Sequence, residues 1–171
     1  MKAAKTPLEN ILINSKKEKM LKYIRTHPTD FKELIDLALS NQQPFSWRAA
    51  WLLHNCMDKN DLRIHAYVST IIDRLTMFSD GHQRNLLNIL LKMEVPEENE
   101  GLLYDSSVKI WLDLKKQSSV RSKAFEVIFQ LAMRYPELRQ EVSAMTDKRF
   151  VDALSAGIRK SVQRKIGEMK G

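Results

Sequence analysis

The chain has 171 residues, 43% apolar and 29% charged, with a formal net charge of +7 at pH 7. That balance excludes a disordered or fibrous chain, and the length suffices for a substantial buried core, which predicts one domain over residues 1–171. A lone cysteine, Cys56, excludes an internal disulfide framework and fits a reducing compartment, and no apolar run reaches the roughly 18 residues a membrane span needs.

Thr6-Pro7-Leu8-Glu9 is a capping-box pattern, with proline at the first helical position. It predicts a short helix to Asn14, and residues 1–15 read as a loosely packed N-terminal helix. Ser15-Lys16-Lys17-Glu18 repeats the device, with Met20, Leu21 and Ile24 at helical spacing, until His27-Pro28 stops the run. Asp30 is the expected cap of a helix from Phe31 to Asn41 that buries Leu34, Ile35, Ala38 and Leu39. Pro44 to Asp58 follows as a tryptophan-rich helix, with Trp47, Ala50, Trp51 and His54 on one face, so Trp47 and Trp51 are expected in the core.

After the polar turn Asp58-Lys59-Asn60-Asp61, a helix is expected from Leu62 to Phe78, then one from His82 to Met93. Val95 to Gly101 reads as an acidic loop, leading into a helix from Leu102 to Gln117 that buries Leu103, Ile110, Trp111 and Leu114. Ser118-Ser119 caps the next, from Val120 to Arg134, and Pro136 starts another to Met145. Thr146-Asp147 opens one last helix from Lys148 to about Met169. No segment reads as a strand.

Three arginines, Arg48, Arg84 and Arg121, each open an apolar helical run, at spacings of 36 and 37 residues. A second helical pattern follows each run, the signature of stacked helix pairs. With Trp47-Arg48-Ala49-Ala50 and Val120-Arg121 as its nearest motifs, the chain resembles HEAT and armadillo-type repeat proteins. The resemblance implies an all-α fold, a right-handed α-α superhelix of about four helix pairs plus terminal helices. It also implies that the repeat arginines bridge to an acid or carbonyl of a neighbouring repeat.

No catalytic constellation accompanies this architecture. His27, His54, His65 and His82 are scattered, the glycines never cluster into a phosphate cradle, and Glu97, Glu98 and Glu100 suit a helix N-terminus, so no metal or cofactor is expected. Cys56 reads as an inert thiol in an apolar helix. The charge is uneven: residues 1–30 carry seven Lys or Arg against three acids, whereas residues 91–120 carry four against six. No targeting segment is evident, and a cytoplasmic protein is expected.

The leading expectation is a non-enzymatic scaffold that grips a protein partner along the concave face. The second helix of each pair, residues 30–41, 62–78, 102–117 and 137–145, would line that face, with Tyr67, Arg74, Tyr104, Lys109 and Arg139 pointing outward as contact residues. The alternative is a nucleic-acid binder similar to the HEAT-like DNA-alkylation-repair glycosylases, which set tryptophans on a basic surface. No position matches the catalytic acid of that group.

Overall fold

The computed structural model describes residues 5–171, which are wholly helical and turn with no strand among them. They group into two compact units that divide between Glu94 and Val95. The first holds α1 (Pro7–Asn14), α2 (Lys17–Thr26), α3 (Phe31–Leu39), α4 (Phe45–Cys56), α5 (Val68–Arg74) and α6 (Asp80–Leu91). The second holds α7 (Glu97–Leu112), α8 (Ser118–Arg134), α9 (Arg139–Ala144), α10 (Lys148–Asp152) and α11 (Ala156–Lys170).

Sequential helices pack in pairs, and each unit has one helix at its centre. In the first unit α4 touches α1, α2, α3 and α6; in the second, α8 touches α7, α9 and α11. Small residues make α4 central: Ser46, Ala49 and Ala50 are all fully buried, so neighbouring backbones approach closely before Leu52 and Leu53 fill the space between. The core of α8 is larger, built on Val120, Ala124, Phe125 and Ile128 against Trp111. Each such fully buried leucine, isoleucine or phenylalanine contributes about 1.5–3 kcal/mol of transfer free energy.

The N-terminal helix is tighter than its sequence suggests. The capping box forms as expected, with the Glu9 N–H donating to Thr6 Oγ1 at 3.1 Å and the Thr6 N–H to Glu9 Oε2 at 2.8 Å. Leu8 and Leu12, four apart and therefore on one face, are both fully buried, so the helix docks firmly. Residues 1–4 of the expected segment lie outside the described residues.

Six cations have a shared duty at helix C-termini, where the last carbonyls lack intrahelical partners and the dipole favours positive charge. Arg48 donates to the Leu12 carbonyl of α1, and to that of Ser15 at 3.1 Å. Arg74 donates to Leu39 at the end of α3 (2.9 Å) and Lys92 to His54 near the end of α4 (2.7 Å). Arg121 donates to Trp111 near the end of α7 (2.9 Å), Arg139 to Ala132 near the end of α8 (3.3 Å), and Arg159 to Asp152, the last residue of α10 (2.9 Å). The expected arginine bridges are therefore present for Arg48 and Arg121, and they run to carbonyls.

Several expected boundaries shift. The acidic loop is the start of α7: Pro96 has extended backbone (φ −58°, ψ 141°), and Glu97, Glu98 and Glu100 then occupy the first turn, where the dipole favours them. The helix stops at Leu112, and Leu114 beyond it is 47% exposed, not buried. The expected helix from Leu62 to Phe78 is α5 flanked by tight 3₁₀ turns at His65–Tyr67 and Leu75–Met77. Asp61 delays its start by accepting the N–H groups of Asp58 and Arg63. The last expected helix breaks between α10 and α11, where Leu154 is buried and the Ser155 N–H donates to Ser118 Oγ.

Three expected caps do other things. Asp30 accepts from Tyr23 Oη at 2.6 Å, Ser15 leaves α2 with no side chain at its N-terminus, and Gln117 precedes α8 without a capping bond. Asp147 does cap α10, accepting the Arg149 N–H at 3.0 Å.

Candidate binding cleft

The α4 helix is where the tryptophan reading fails in a useful way. Its buried residues are Ser46, Ala49, Ala50, Leu52 and Leu53. Trp47 and Trp51 lie four apart on an adjacent strip, so they share a face with each other but not with that core. Trp47 is 39% exposed and Trp51 half-buried. The small residues carried the packing signal; bulk and apolarity drew the expectation to the indoles instead.

The two indoles form one wall of a cleft of about 500 Å³ within the first unit. Met20 of α2 and the α1–α2 link at Ser15 and Lys16 face them, with Lys17, Arg48 and Arg84 completing the lining. Size and composition match those of pockets that take up ligand groups. The lining contains four cations, Lys16, Lys17, Arg48 and Arg84, and no carboxylate.

Two of those cations sit over the indoles. Lys17 Nζ is 5.2 Å from the Trp51 ring centre and Arg48 Cζ is 5.5 Å from that of Trp47, within the range of cation–π attraction. Arg48 is also held by the carbonyls of Leu12 and Ser15, which fixes it at the end of α1. From behind, Asn85 of α6 donates to the Trp47 carbonyl at 3.2 Å. The cleft thus sets two partly exposed aromatic rings beside cationic side chains.

The second unit carries a smaller cleft of opposite character, about 280 Å³, lined by Glu97, Glu100, Glu137, Tyr104 and Tyr135 among others. Glu100 is buried there as the acceptor of Arg134 and of Tyr135 Oη at 2.6 Å. The hydrogen bond to Glu100, then burial, raises the Tyr135 phenol. Burial, then the Glu141 carboxylate, pushes Tyr104 up to about 12. Among the described residues no group of three or more His, Cys, Asp or Glu is placed to hold a metal ion. Cys56 is pushed up to about 11, chiefly by burial, which keeps it a protonated thiol at neutral pH.

None of the residues expected to form a contact surface lines the basic cleft. Tyr67 is half-buried and Arg74 exposed in the first unit, with Arg74 committed in part to the Leu39 carbonyl. In the second unit Lys109 is exposed, while Arg139 is half-buried and bonded to Ala132. Tyr104 does not point outward: it is only 8% exposed, because α7 buries the stripe Glu100, Leu103, Tyr104, Ser107 and Trp111. The polar members of that stripe hide its periodicity in the sequence.

No curated protein and no solved structure matches the chain. A family model does: the HEAT repeat domain matches residues 4–169, nearly the whole length. Paired helices, cation-capped C-termini and this match together place the chain in the HEAT repeat domain family.

Proposed function

We propose that the chain is a non-enzymatic scaffold that holds a protein partner, with the tryptophan cleft of α4 as its anchor. HEAT repeat domains generally serve as protein-interaction scaffolds, and stacked helices offer extended surfaces for that purpose. The observation that carries the reading is Trp47, 39% exposed on a helix whose core face is filled by smaller residues. Tryptophan and arginine are the residues that most often dominate binding energy at protein interfaces. Tyr67 and Lys109 add peripheral contacts, each in its own unit. No helix of the described residues is long and apolar enough to cross a membrane, and the lone thiol suits the cytoplasm as the working compartment.

A benzoylphenylalanine photo-crosslinker at position 47, used in cells expressing the full chain, tests this. A discrete protein adduct is expected, absent when the crosslinker replaces exposed Lys160 on α11. No adduct at position 47, or one with nucleic acid alone, contradicts the reading.

One observation favours a second reading. Paired indoles beside cations also suit stacked bases and phosphates. A nucleic-acid binder would lose affinity steeply with salt. A base-excision role would further require an acid at the cleft, and its lining has none.

A further inference from the structure

We infer that His82 is an acid-sensitive clasp: taking up a proton releases the start of α6 from the end of α3 and loosens the first unit, while the second unit stays intact. The ring is fully buried, at 0% exposure. Its Nε2–H donates to the Ala38 carbonyl in the last turn of α3 at 2.7 Å, and the ring stacks on Phe78 with centres 4.1 Å apart. Nδ1 therefore carries no proton, and the Gln43 side-chain amide lies 3.5 Å from it. A second proton there would place a cation inside the core with no carboxylate bonded to it. The closed junction thus holds the neutral ring. Burial lowers the His82 pKa, and the bond to Ala38 only partly opposes this.

The groups around the clasp do not offset that cost. Arg74 of α5 donates to the next carbonyl, that of Leu39, and brings a like charge to the same helix end. On α3, Asp36 pairs with Lys32, and Glu33 accepts from Thr6. On α4, Arg48 is held by the Ser15 carbonyl, and His54 lies towards the opposite end of α6, where Lys92 meets its carbonyl. Asp73 of α5 is exposed, and neither Asp80 nor Arg84 of α6 itself bonds to the ring. His82 is also the third residue of α6, at the positive end of its dipole, which further disfavours a second proton. His27, His54, His65 and His82 all precede Glu94, so the second unit has no histidine. One turn along α6, Asn85 donates to the Trp47 carbonyl, so the stretch that opens is also the one behind the exposed indole.

Hydrogen exchange of the full chain, read by mass spectrometry at about pH 7.5 and about pH 5.5 and corrected for the intrinsic rate at each, tests the inference. A histidine in an opened segment titrates near about 6.5, so above about pH 7.5 the open and closed states are both neutral. As pH falls through that value the open state takes up a proton and the closed state does not, so protection is lost towards acid. One such group lowers the protection of α3 and α6 about tenfold by about pH 5.5, whereas α7 and α8 keep theirs. His82→Gln retains an amide N–H for the Ala38 carbonyl but cannot titrate, so its α6 protection should change less than about twofold between the two conditions. The unaltered chain gives a second reading by NMR, in which the His82 ring signal should titrate below about 6.5. Undiminished α6 protection in acid, an equal loss in α8, the full loss persisting in His82→Gln, or a His82 ring that titrates at or above about 6.5 overturns the inference.

Discussion

Each unit sets an arginine over an indole, and the two pairs have opposite fates. In the second unit Arg121 Cζ lies 4.7 Å from the Trp111 ring, and both side chains are buried, at 1% and 0% exposure. Trp111 packs on Phe125 and donates its indole N–H to the Met145 carbonyl at 3.0 Å, while Arg121 spans the carbonyls of Trp111 and Phe150. In the first unit Arg48 makes the same kind of carbonyl bonds, but its indole partner Trp47 opens on a cleft. The cation serves structure in both places. The enclosure of the ring and of its arginine differs, and that difference separates a core from a surface able to bind.

The comparison is easiest to break in the second unit. Trp111→Ala removes a fully enclosed ring and orphans the Met145 carbonyl, at an expected cost of about 4 kcal/mol in urea unfolding. A loss below about 1 kcal/mol would mean that Trp111 is not the packing centre described. Arg121→Met should cost about 3 kcal/mol, because two buried carbonyls lose a charge-assisted donor. Burial already lowers the Arg121 pKa, with Asp113 opposing, so the site gains from the hydrogen bonds and not from the charge alone. The matching Arg48→Met change in the half-open site should cost only about 1 kcal/mol.

Acid titration sharpens the contrast on the side of the first unit. The hydrogen bond from Arg63, helped by the N–H groups of Asp58 and Arg63, holds Asp61 at about 2 against the opposing effect of burial. Its folded pKa lies below the unfolded value of about 3.9, so its stabilisation is complete above about pH 5 and is lost as pH falls from about 4 to 2. Asp61→Asn should cost about 1 kcal/mol at neutral pH and flatten that acid limb. An unchanged limb would place the acid sensitivity elsewhere. Smallest of all is Trp47→Ala, expected to change stability by less than about 0.5 kcal/mol while it removes binding.

Much of the helical frame was legible because its signals are local. The capping box at Thr6 and Glu9, Asp147 ahead of α10, and prolines at chain joints act within a few residues, and their spacing survives in the fold. The arginine bridges were legible in kind, since a 36–37-residue recurrence implies a repeated contact. Their full membership was not, because Arg74, Lys92, Arg139 and Arg159 join through carbonyls whose positions depend on packing. The cleft was misassigned for a related reason. Trp47 and Trp51 look like core by composition, and only the run of small buried residues beside them shows which face of α4 turns inward. Tyr104 was misplaced in the other direction, because Glu100 and Ser107 break the apolar stripe that buries it.

The three tryptophans of the chain give the most direct test, since so few indole rings can be followed separately by NMR. With a soluble paramagnetic relaxation agent, the Trp47 and Trp51 ring signals should broaden strongly, while the Trp111 signals stay sharp. Broadening of Trp111 with Trp47 and Trp51 unaffected, or no difference among the three, would contradict the account.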